Sequence, residues 1–156
     1  MKRETIFTSN APTPGFYSQA VAIRLKTYTR VILAGQTGNI PDGKDEPVIE
    51  GGVGPQTTQI LKNISAILQA AGGSMVDLVR VRVYLRDDTH GMPAARKESR
   101  EAFAKAYEEF FAQYEMSREN RNLPARAMVW VSEVPLEFPA ENTLVEIEAE
   151  AVISNP

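Results

Sequence analysis

With 156 residues, 43% of them hydrophobic and 24% charged, the chain has the size and balance of one globular domain over residues 1–156. The absence of cysteine excludes disulfides, thiolate nucleophiles and thiolate metal sites, and a single histidine, His90, excludes any site that needs two. A formal net charge of −3 argues against a nucleic-acid partner, since neutralising phosphates needs clustered Lys and Arg.

Lys2–Thr8 reads as a first short strand, followed by a loop at Ser9–Gly15 that holds Pro12, Pro14 and Gly15. Ala20–Tyr28 alternates as a strand, with Val21, Ile23 and Leu25 on one face. Arg30–Gly35 follows closely enough to predict a hairpin near Lys26–Thr29. Gln36–Gly54, rich in Gly, Pro and Asp, is expected to wrap over the surface. Gln56–Ala71 is the clearest helix: Ile60, Leu61, Ile64, Ile67, Leu68 and Ala71 form one apolar stripe, and Gly72-Gly73 stops it. Val76–Leu85 returns as a strand with Val79, Val81, Val83 and Leu85 facing one way. A second helix runs from about Pro93 to Gln113, with Phe103, Ala106, Tyr107, Phe110, Phe111 and Tyr114 as its stripe. After a polar loop at Ser117–Leu123 come two apolar runs, Ala127–Val131 and Leu144–Val152.

The predicted order is therefore β-β-β-α-β-α-β-β, an α+β domain whose two helices cover one face of a mixed sheet. The other face needs a cover as well. Outward residues such as Met128 and Trp130 would be buried only by a partner subunit, so a homo-oligomer is expected. Thr5–Ile23 is broken by Ser, Asn, Gln and turn formers and so lacks a secretory apolar core. No run approaches the roughly twenty apolar residues of a membrane span, so a cytoplasmic chain with no membrane partner is expected.

Two short motifs carry the chemistry. Pro124-Ala125-Arg126 opens one of the last two strands, and Val145-Glu146-Ile147-Glu148 opens the other. If those strands are neighbours, one pocket receives a guanidinium fork that matches a carboxylate bidentately and a carboxylate able to position or deprotonate a water. An Arg–Glu ion pair serving structure alone fits the same positions. Tyr17, at a loop–strand junction, can stack on a small ligand or simply pack. Gly35, in Ala34-Gly35-Gln36, permits a close backbone approach or a plain turn. Gly51-Gly52-Val53-Gly54 lacks the lysine of a phosphate-binding loop. His90 lies in a charged stretch, Arg86–Arg100, beside Asp87 and Asp88, and reads as part of a solvated loop.

Taken in order, these segments resemble one family: Ala11-Pro12, Gly15-Phe16-Tyr17-Ser18-Gln19-Ala20, Ala34-Gly35-Gln36, Gln59-Ile60-Leu61-Lys62-Asn63-Ile64, Tyr107-Glu108-Glu109-Phe110-Phe111, Pro124-Ala125-Arg126 and Val145-Glu146-Ile147-Glu148-Ala149. That is the YjgF-type reactive intermediate deaminase (Rid) family. The resemblance implies a chorismate-mutase-like fold, a homotrimer with pockets at the subunit interfaces, and hydrolysis of 2-imino or enamine acids to 2-oxo acids and ammonia, with no metal or cofactor. It implies that Arg126 grips the carboxylate of a small substrate, that Glu146 orients the attacking water, and that Tyr17 and the backbone at Gly35 line the cavity. Three pocket positions depart from the family pattern: Ala34 stands where Ser is common, Met128 where Cys is frequent, and Ala104 where many members have Asn. Asp87–Phe103, Gln113–Leu123 and Leu136–Leu144 also look longer than usual. A non-catalytic sensor of small carboxylic acids and an RNA-binding or ribonuclease protein are the alternative functions.

Overall fold

The computed structural model describes residues 1–13, 15–41, 47–87, 92–134 and 142–155. Its strands are β1 (Lys2–Ile6), β2 (Ala20–Arg24), β3 (Tyr28–Thr37), β4 (Leu78–Arg86), β5 (Ala125–Val131) and β6 (Val145–Ser154), with helices α1 (Val53–Ala71) and α2 (Pro93–Ala112). The sequence-predicted order holds, and the strands form one sheet of order β1-β2-β3-β6-β4-β5. All neighbours are antiparallel except β4 and β5, which α2 joins by a crossover.

The apolar stripe of α1 explains why it seats on the sheet. Ile60, Leu61, Ile64, Ile67 and Leu68 are all fully buried, each stabilising by roughly 1.5–3 kcal/mol relative to exposure. Gly72, left-handed at φ 89°, ends the helix: its N–H donates to the Gln69 carbonyl and that of Gly73 donates to Leu68. Pro93 opens α2, where its missing N–H costs nothing. From α2, Phe103, Tyr107 and Phe111 enter the core at i, i+4, i+8, as the sequence pattern requires.

Three expectations change. The last two strands are not neighbours, because β6 inserts between β3 and β4 and leaves β5 at the sheet edge. Val79 does not share a face with Val81, Val83 and Leu85, because a register shift between Leu78 and Arg80 leaves it 43% exposed while the others are fully buried. Met128 and Trp130 do not point outward. In register they stand beside buried Val83 and Leu85, under the helices, and both are half-buried against the core. Uncovered apolar side chains on the far face include Ile32, Val129 and Val152. His90 and the first part of Leu136–Leu144 lie outside the described residues.

Candidate functional site

Strand β6 presents three carboxylates to the uncovered face, Glu146, Glu148 and Glu150, alternating with buried Val145, Ile147, Ala149 and Ala151. Glu150 accepts from Arg30 Nε at 2.7 Å and Glu148 from Arg82 Nη1 at 2.9 Å. Glu146 has no such partner among the described residues. It stands in register with Thr37 on β3 and Tyr84 on β4, in the middle of the sheet. Burial, followed by the nearby charge of Glu148, pushes its carboxyl above the usual value of 4.5.

What holds Glu146 there is a bulge. Between Leu33 and Gln36 the β3–β6 register slips, so Ala34 and Gly35 together face one residue of β6. A Cβ on Gly35 would lie 1.8 Å from Glu146 Oε1, so the carboxylate rests on bare backbone that only glycine supplies. The carbonyls of Ala34 and Gly35 accept from the buried Gln36 side-chain amide at 3.3 and 3.1 Å, which braces the bulge from within.

Three side-chain amides that the sequence reading did not single out position this region. The fully buried Gln19 side chain donates to the carbonyls of Thr8, Ala11 and Pro12 and accepts from Thr8 N–H. Its own backbone carbonyl takes the Ala34 N–H at 3.0 Å. The loop that carries half-exposed Tyr17 and fully exposed Phe16 is thereby tied to the bulge. On α1, buried Gln56 donates to the Asn142 carbonyl at 2.7 Å and accepts from Leu144 N–H at 2.8 Å, fixing the entry to β6 just before Glu146. Asn63, seven residues along the same helix face, donates to the carbonyls of Thr37 and Asn39 and pins the exit of β3. The available signal was polar residues, Gln56, Gln59 and Asn63, spaced along the apolar stripe of an amphipathic helix.

Arg126 lies elsewhere. It stands in register with Val81, on the helix-covered face of edge strand β5. Its guanidinium carbon sits 5.4 Å from the Phe103 ring centroid and 5.1 Å from that of Tyr107. Met128 follows on the same face, beside Val83. Ala104, half-exposed on α2, directly follows Phe103. Burial raises the Tyr107 hydroxyl's pKa well above its usual value, and the Arg126 charge opposes that shift. The fold thus forms two groups: Ala34, Gly35 and Glu146 at the bulge, to which the Tyr17 loop is tied through Gln19, and Ala104, Arg126 and Met128 on the helix side. Within one chain the sheet separates Arg126 from Glu146.

The Gly-rich start of α1 borders a groove of about 580 Å³ shared with Glu98, Lys105 and Glu109 of α2, which contains no member of either group. Among the described residues no cluster of three or more His, Cys, Asp or Glu is arranged to hold a metal ion, and no helix is long and apolar enough to cross a membrane.

Comparison with known proteins agrees with the fold. A RutC family protein of Pyrococcus horikoshii is 39% identical over 152 residues, covering 94% of this chain and 95% of its own length. The 2-iminobutanoate/2-iminopropanoate deaminase of Rattus norvegicus is 33% identical over 152 residues, covering 96% of this chain and 90% of its own. The crystal structure of the YjgF gene product of E. coli superposes with a TM-score of 0.72 at 31% identity, covering 96% of this chain and 98% of that one. The family model described as endoribonuclease L-PSP matches residues 8–153, and the chain therefore belongs to that family, the YjgF/Rid family.

Proposed function

We propose that this protein hydrolyses reactive 2-imino and enamine acids to 2-oxo acids and ammonia, at sites that two adjacent subunits of a homotrimer complete together. The observation that carries the reading is the contrast on β6: of three carboxylates on one strand face, Glu148 and Glu150 are matched by arginines, whereas Glu146, over Gly35, has no ion-pair partner among the described residues. A half-buried carboxylate whose pKa burial raises is suited to accept a proton. Arg126 supplies the complement, a cation with no carboxylate of its own among the described residues.

The reaction asks little more. Arg126 takes the substrate carboxylate, and Glu146 accepts a proton as water adds to the electrophilic C=N carbon. Glu146 then returns that proton to the amino group, and the carbinolamine collapses with loss of its hydroxyl proton, leaving the 2-oxo acid and ammonium. Positioning and one proton shuttle are enough, because an iminium carbon is already activated. Tyr17, Ala34 and Gly35 wall the half that bears Glu146, while Ala104 and Met128 wall the half that bears Arg126. The deaminases among the relatives support this substrate class. Because Arg126 and Glu146 of one chain face opposite sides of its sheet, a shared site takes Arg126 from one subunit and Glu146 from the next.

Mixing two dead variants tests the whole reading. Arg126→Ala and Glu146→Gln, each inactive alone, should regain activity when co-assembled. Random mixing leaves about a quarter of shared sites intact. The assay is ammonia release from imino acids generated in situ by an amino-acid oxidase. No recovery from co-assembled trimers would reject the shared site. Ligand binding by the wild type without ammonia release, unchanged in Glu146→Gln, would instead point to a carboxylic-acid sensor.

A further inference from the structure

The reading of Arg126 as the carboxylate anchor leaves open what holds the anchor. Three arginines of this sheet are held by acids, Arg24 by Glu4, Arg30 by Glu150 and Arg82 by Glu148, and Arg96 of α2 is held by Asp87. Arg126 has no ion pair among the described residues and lies instead over Phe103 and Tyr107, at 5.4 and 5.1 Å. The two rings are one helical turn apart on α2, stacked at 5.4 Å with an interplanar angle of 28°, so they form a continuous floor. Tyr107 in turn packs on Phe111 at 4.6 Å, and Phe103 and Phe111 are fully buried, so the floor belongs to the rigid core.

From this geometry we infer that Phe103 and Tyr107 are positioning residues for the anchor, an aromatic platform that fixes the Arg126 guanidinium while leaving its N–H donors for the substrate carboxylate. The inference rests on the function proposed above. A carboxylate partner would hold the arginine by occupying the donors the ligand needs. Ring faces hold a cation through its charge and use none of them. The Tyr107 hydroxyl takes no part. It is buried without a hydrogen-bond partner among the described residues, an arrangement that disfavours Tyr relative to Phe in the folded state.

Four variants of the intact oligomer, with Arg126→Ala as reference, test this by steady-state kinetics on one 2-imino acid and by calorimetric titration of its 2-oxo acid product. Phe103→Leu and Tyr107→Leu should each raise KM and product Kd by about threefold to tenfold, with kcat within about twofold. Tyr107→Phe keeps the ring and should keep wild-type KM. Phe110→Leu, which trims another core aromatic of α2 that does not touch Arg126, should keep it as well. A second readout, free of any risk that the leucine variants misfold, is the Arg126 Nε–H resonance of the wild type. The platform requires it to be ring-current shifted and to move on adding product. Wild-type KM in Phe103→Leu and Tyr107→Leu, or an equal rise in Phe110→Leu, would overturn the platform alone. A rise in Tyr107→Phe equal to that in Tyr107→Leu would do the same, assigning the effect to the hydroxyl. Wild-type KM and Kd in Arg126→Ala would remove the anchoring role, and the platform with it.

Discussion

The two faces of the sheet follow different rules, and each candidate site residue is the one that breaks the rule of its own face. Under the helices the rule is apolar packing: Val81, Val83, Leu85 and Ile147 are fully buried there. Arg126 is the cation placed in register with that row. On the uncovered face the rule is charge matching, with Arg30 facing Glu150 and Arg82 facing Glu148. Glu146 is the carboxylate left out of the matching. A charge on a face of charges, or a ring among rings, says little. At half-buried Glu146 the exception carries a desolvation cost that no ion pair among the described residues offsets.

The carboxylates of β6 give the strongest way to break this contrast. Glu146→Gln should lower kcat by about 10²- to 10⁴-fold, the usual contribution of a general base. Glu148→Gln and Glu150→Gln, which open only partly exposed ion pairs, should stay within about threefold. Equal losses at all three positions, measured as ammonia release, would mean that the face acts as a whole. Gly35→Ala comes next. With its new Cβ 1.8 Å from Glu146 Oε1, the carboxylate has to move, and displacement of about 1 Å costs on the order of 10²-fold in turnover. Circular dichroism should show the fold retained.

Smaller effects sharpen the comparison. Gln56→Ala removes the buried amide that clamps the partly exposed Asn142 carbonyl and Leu144 N–H. A loss of about 0.5–1.5 kcal/mol per lost hydrogen bond is expected, read by urea denaturation. The smallest effect is pH-dependent. The Glu146 pKa is raised by folding, so its contribution to stability is fully present below 4.5 and is lost as pH rises through the folded value. Glu146→Gln should therefore melt above the wild type at neutral pH, with the gap closing toward pH 4. A gap unchanged across that range would show that Glu146 is not desolvated.

Much of this was legible in the residues. Both helices declare themselves, since Ile60, Leu61, Ile64, Ile67 and Leu68 repeat at helical spacing and Phe103, Tyr107 and Phe111 do the same. Strand order was not legible. Consecutive strands pair in most folds, which makes β5 and β6 natural neighbours, yet β6 is drawn between β3 and β4. That one insertion separates Arg126 from Glu146. Bulges escaped too, because an extra residue leaves the composition of a strand unchanged while shifting its phase. Val79 lost its place in the apolar row that way, and Ala34-Gly35 gained its role. Gln19 was hidden for another reason: what it fixes is carbonyl and amide groups of the backbone, which no side-chain pattern records.

The β4–β5 pair has a consequence in time. Being parallel, it forms only after α2 has crossed the sheet, and β5 is then zipped to the rest along one edge alone. Strand β6, paired on both sides, has no such weakness. Amide protons of Ala125–Val131 should exchange with solvent well before those of Val145–Ser154. On warming, affinity for a carboxylate ligand should fade while the helices and the middle of the sheet remain intact.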